Sequence, residues 1–164
     1  MTDNQKKLVL DWMRKVHTLE HAHRQEGISW GKVNNWLGIP SLIVAALIAA
    51  LSSVCELKDE LIINLISTMG GVTVAILAGI QTFLKPSEFA EKHRIASGTY
   101  EKLRHKIEYF LQFQTAHADV EKLIDEIRVE WNNIDSINVS NKYFMLAKSW
   151  INGLNKYPPE LDFI

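Results

Sequence analysis

The chain has 164 residues, one domain's worth by length, with 18 Lys and Arg against 19 Asp and Glu and a formal net charge of -1. That balance lacks the basic excess of a nucleic-acid binder, so no direct nucleic-acid binding is expected. The single cysteine, Cys55, excludes an internal disulfide and a Cys-rich zinc site.

Mean hydropathy is -0.05, an average that hides an uneven distribution. Residues 3–30 read as an amphipathic helix, with Leu8, Trp12, Val16, Leu19 and His23 at spacings of three or four. Gly27 and Gly31 then loosen the chain. Lys32 and Glu56 bracket 23 residues without a charge, 33–55, and Glu60 and Lys85 bracket 24 more, 61–84. A bilayer core about 30 Å thick needs about 20 apolar helical residues to cross it, so each stretch is long enough to span. Trp30 and Trp36 fall where an interfacial aromatic belt would sit. Pro40 is placed in the first turn of the first span, where its missing N–H costs little.

The connection Glu56-Leu57-Lys58-Asp59-Glu60 is short enough to make the two spans antiparallel neighbours, and it is acidic. Residues 1–32 hold six Lys and Arg, and residues 85–106 hold six more. By the positive-inside rule both termini face the cytoplasm and the turn faces out, which implies a multi-pass protein of the inner (cytoplasmic) membrane. Beyond the second span, Ser87 can cap a helix whose N-terminal dipole Glu88 and Glu91 complement. That helix runs from Phe89 to about His117. Ala96, Tyr100, Leu103, Ile107 and Phe110 form a heptad-like seam on it, the natural surface for oligomerisation. A second helix carries Val120, Ile124, Ile127 and Trp131 on one face. The stretch 134–139 breaks it, and a last short helix covers 141–152.

The expected fold is therefore all-α: a membrane protein with a two-helix transmembrane hairpin, flanked by N-terminal (3–30) and C-terminal (87–152) cytoplasmic amphipathic helices. On a helical wheel the second span divides. Asn64, Ser67, Thr68, Gly71, Ala75, Ala78, Gly79 and Thr82 share a small, weakly polar face. Ile62, Ile66, Met69, Ile76, Leu77, Ile80 and Leu84 lie opposite, with Thr73 as the exception. The first span has a weaker ridge of Ser41, Ala45, Ala49 and Ser53. Two readings stand open. The ridges pack against each other inside the hairpin, since small residues let helices approach closely in lipid. Alternatively, part of the small face, with Asn64, Thr68 or Gln81, lines a path between subunits. No charge lies inside either span, which argues against a proton-coupled transporter or a voltage sensor.

His17 and His21, four apart on one helix face, make a possible metal pair, and Glu20 with His23 makes a single Glu-x-x-His. A di-iron bundle needs two such motifs and two further glutamates. No metal, cofactor or catalytic residue is expected. There is no phosphate loop and no nucleophile elbow, so nothing marks an enzyme.

The layout as a whole resembles a known family. A cytoplasmic helix leads into Asn35-Trp36-Leu37-Gly38-Ile39-Pro40 and a first span, then a tight turn and a second span. Phe83-Leu84-Lys85-Pro86 and Ala90-Glu91-Lys92-His93 follow, opening a long helix with Tyr100 and Leu103. This is similar to the SLATT domain, the two-transmembrane effector associated with SMODS and SLOG proteins, over nearly the whole chain. The resemblance implies a pore-forming homo-oligomer in the lipid bilayer, serving an antiphage or conflict system. It also implies a separately encoded sensor or nucleotide-signal synthase as its trigger. The alternative is a non-conducting scaffold that anchors a cytoplasmic partner.

Overall fold

The computed structural model describes residues 1–54, 60–113, 117–158 and 161. All regular structure among them is helical: α1 (Asp3–Val54), α2 (Glu60–Leu84), α3 (Pro86–Gln112), α4 (His117–Asn132) and α5 (Asn141–Gly153). Cys55 and the turn residues Glu56 to Asp59 lie outside the described residues.

Three local expectations are corrected. First, α1 is continuous across Gly27 and Gly31, although glycine costs about 1 kcal/mol relative to alanine inside a helix. Second, Pro40 sits deep within that helix, not in a first turn. Its missing N–H leaves the Trp36 carbonyl without its usual helical donor. Third, Ser87 does not cap α3. Lys85 stands before the helix with φ 45°, its carbonyl accepting from the N–H groups of Glu88 and Phe89 at 3.0 and 3.2 Å. Pro86 takes the first helical position, where its fixed φ suits the turn, and this pushes Ser87 inside the helix.

The chain divides into two compact units, one of Met1–Ile28 with Glu91–Ile164 and one of Ser29–Ala90. The first unit packs α3, α4 and α5 around the start of α1. Val9, Met13 and Val16 of α1, Tyr100, Leu103, Ile107 and Phe110 of α3, and Val120 and Ile127 of α4 form one buried cluster. Leu103, Ile107 and Ile127 are fully buried, each stabilising the fold by roughly 1.5–3 kcal/mol. The α4 face expected from its periodicity is present, with Ile124 and Trp131 packed at its margin. On α1 the buried line runs Val9, Met13, Val16, Glu20, His23, and Leu8 is exposed.

This core corrects the role read for Ala96, Tyr100, Leu103, Ile107 and Phe110. All five are buried within the chain itself. A heptad-like seam needs any apolar partner, and here α1 and α4 of the same molecule supply it.

The second unit holds the two apolar helical segments. Both are long and apolar enough to cross a membrane, and neither apolar window is buried. Within this unit Asn34 meets Gln81, while a Cβ at Gly70 would meet Ile48 and Val44. The start of the first apolar segment, at Asn34, thus meets the end of the second, at Gln81, and Ile48, later in the first, meets Gly70, earlier in the second, as in antiparallel neighbours.

Candidate functional site: a buried histidine pair and an outward small-residue face

Two arrangements stand out, one in each unit. In the first unit the buried line on α1 turns polar after Val16. Glu20, His23 and Glu26 on α1 and His93 and Ser97 on α3 are all buried. Each is matched. Glu20 holds the Arg104 guanidinium at 2.7 Å and the Arg24 guanidinium at 2.8 Å. Ser97 donates its hydroxyl to the Glu20 carbonyl at 3.1 Å.

His23 and His93 face each other through their Nδ1 atoms at 3.0 Å. One ring must donate and the other accept, so two imidazolium rings cannot share this contact. The ring of His23 also stacks on Tyr100, whose hydroxyl bonds Ser136 at 3.1 Å. Burial, and then the neighbouring His93, push the His23 pKa down to about 4. Burial also lowers His93, against the pull of Glu26, whose Oε1 lies 3.9 Å from His93 Nε2.

The other oxygen of Glu26 accepts from the backbone N–H of Ser140 at 2.8 Å. Ser140 is the N-cap residue of α5 and makes no side-chain cap of its own. Glu26 therefore reaches from α1 to do what a capping-box glutamate does locally. One carboxylate joins the histidine pair to the start of α5.

His17 and His21 do not form a metal pair. His17 Nδ1 bonds the Tyr157 hydroxyl at 3.0 Å, and His21 lies flat against Trp150 with centroids 4.1 Å apart. Burial brings His17 down to about 4, with Arg104 and Lys156 adding to it. Among the described residues no group of three or more His, Cys, Asp or Glu is arranged to hold a metal ion.

In the second unit the helix pair packs through a different line from the one expected. The half-buried positions on α2 are Ile63, Ser67, Gly70, Val74, Leu77 and Gln81. On α1 they include Asn34, Leu37, Gly38, Ser41, Val44 and Ile48. Of the residues read as a packing ridge, only Ser67 and Ser41 lie on this seam. Asn64, Thr68, Gly71, Ala75, Gly79 and Thr82 are exposed, as are Ala45 and Ala49. The side chain of Ser53 lies outside the described residues. The small, weakly polar face of α2 is thus turned outward. Thr68 returns its hydroxyl to the Asn64 carbonyl at 2.7 Å.

Two features of this seam escaped the sequence reading. A Cβ at Gly70 would lie 2.7 Å from Ile48 Cδ1, so the close approach is at Gly70, whereas Gly71 faces open space. And Gln81, read as a possible pore residue, donates instead to Asn34 Oδ1 at 2.9 Å, above the gap left by Gly38. The available signal was that Asn34, beside Asn35, opens the first apolar stretch and Gln81 lies near the close of the second, the two ends that an antiparallel pair brings together. No protein-family model, no curated protein and no solved structure matches the chain.

Proposed function

We propose that this chain is an oligomeric, non-enzymatic effector of a prokaryotic antiphage or conflict system. Triggered by a separately encoded sensor or nucleotide signal, it forms a pore in the inner membrane or disrupts it. In this reading the two apolar segments span the bilayer as a hairpin with both termini in the cytoplasm. The observation that carries it is the outward face of α2. Asn64, Thr68, Gly71, Ala75, Gly79 and Thr82 are exposed although the helix pair is already packed. Small residues are the currency of close helix approach in lipid, where apolar packing alone gives no drive to associate. Two helices cannot enclose a pore, so the face serves contacts between copies, with its hydroxyl and amide dipoles toward the path. The resemblance to SLATT effectors supports the biological setting.

The test is leakage from dye-loaded vesicles containing the full chain, with and without candidate nucleotide signals. Expression in cells is followed in parallel by membrane potential. Release of dye, abolished by Asn64→Leu, is expected. Intact vesicles and an undisturbed membrane potential under every trigger overturn the proposal. A non-conducting scaffold has one point in its favour, the Asn34–Gln81 bond that clamps the helix pair. It predicts that Asn64→Leu alters stability alone.

A further inference from the structure

The first unit carries two exposed surfaces of opposite charge. One is the outer face of α5. Met145 (52 % exposed) and Leu146 (53 %) stand open on it, beside Lys142, whose ammonium lies over the Tyr143 ring. From Asn141 to Pro158 the chain has no Asp or Glu and three lysines, 142, 148 and 156. Lys156 is held by Glu108 at 2.8 Å. An exposed apolar group rimmed by one sign of charge marks an interaction surface.

The other surface is an open groove of about 1090 Å³ between α3 and α4. Asp125, Glu126, Glu130 and Asp135 line it against two lysines, Lys106 and Lys122, with Val129 as an apolar wall. Lys106 already pairs with Glu130 at 2.7 Å and Glu126 at 3.9 Å, and Arg128 with Asp125 at 3.0 Å, so the four carboxylates outnumber these cations, counting Lys122, by one.

The molecule cannot fill its own groove. On α3, Glu108 points to the α5 side, where it takes Lys156, and Lys106 points to α4, where it takes Glu130. At 100° per residue these positions lie about 200° apart around the helix. The two surfaces are therefore on opposite flanks of α3. Self-contact of α5 with α5 would also set lysine against lysine, which disfavours a two-fold dimer through that face.

We propose that the basic, apolar face of α5 docks into the acidic α3–α4 groove of a second copy, head to tail. Such a contact repeats, and closes into a ring if its rotation permits. The inference rests on the oligomer in the proposed function and assigns it a surface, now that the α3 seam is buried. Lys142 meets Asp125 and Glu126, and Met145 meets Val129. Charge complementarity of this kind fixes register and suppresses wrong pairings.

The experiment uses the full chain in detergent with Cys55→Ser, Met145→Cys and Val129→Cys. Both new cysteines replace exposed side chains. A short bis-maleimide is expected to give a ladder of dimer, trimer and higher species. Lys142→Glu alone and Asp125→Lys alone should each raise the half-assembly concentration roughly tenfold or more, and the double reversal should restore it. Oligomers seen by light scattering without a ladder overturn the head-to-tail contact and leave the effector reading standing. Monomer throughout, with no vesicle leakage, removes both. A fluorophore at Met145→Cys that brominated anionic lipid quenches would assign α5 to the membrane surface and overturn the proposal.

Discussion

Glu20 accepts from Arg104 and Arg24 within a buried layer. Glu20→Gln leaves the Arg104 guanidinium with Glu108, at 2.9 Å, as its remaining carboxylate, and the lost charged contact is worth about 1.5–3 kcal/mol. Chemical unfolding of the detergent-solubilised protein reads this as a lower midpoint with an unchanged slope. The histidine pair adds a pH dependence. An ordinary imidazole ionises near 6.5, and His23 is held near 4. Between those values the unfolded chain takes up protons that the folded chain does not, so stability falls as pH drops from 6.5 toward 4. The melting temperature should be lower at pH 4.5 than at pH 7, and His23→Leu should shrink the difference without abolishing it, because His17 is also held near 4. A wild-type melting temperature that is flat over this range contradicts the assignment. Little of this was legible in the sequence. Helical spacing puts His23 on a face, but only the fold brings it to His93, 70 residues away.

At the scale of the helices, two adjacent glycines separate packing from outward contact. A Cβ at Gly70 runs into Ile48, whereas one at Gly71 meets nothing within 4 Å. Gly70→Leu is therefore expected to split the α1–α2 pair, costing about 1–3 kcal/mol or more by overpacking. Gly71→Leu should leave the monomer at least as stable as wild type, since a Cβ there meets nothing within 4 Å and glycine is the poorer helix former, while impairing leakage. Equal losses from both would mean that the outward face has no separate role. Helical periodicity located the small residues on α2 but could not say which way they face. A wheel sorts side chains by angle, and the close approach at Gly70 depends on Ile48 of another element. The α3 seam failed as an assembly surface for a related reason. Its 4-3 spacing marks an apolar line that seeks a partner, but spacing does not tell an intramolecular partner from an intermolecular one.

For the whole molecule, charge asymmetry makes the sharpest statement. Six Lys and Arg in residues 1–32 and six in 85–106 flank the two apolar stretches, with Glu56, Asp59 and Glu60 between them. Protease added outside sealed, right-side-out vesicles should spare epitopes at both termini, and opening the vesicles should expose them. Loss of either epitope in sealed vesicles would overturn this topology. The all-helical architecture and the two apolar stretches were plain from composition and periodicity, because long charge-free runs are a property of the chain alone. The division into units was not, since it depends on which surfaces the helices close over.

That division shapes how the protein is made. The first unit joins Met1–Ile28 to Glu91–Ile164, two pieces that leave the ribosome far apart in time. At about 5–20 residues per second, Val9, Met13 and Val16 wait on the order of ten seconds before Val120 and Ile127 have been synthesised to cover them. Through that interval the nascent N-terminal helix is a ready client for chaperones and for early self-association. In the proposed topology an even number of membrane crossings returns the second piece to the same side as the first, so the core could close whichever way the apolar segments insert.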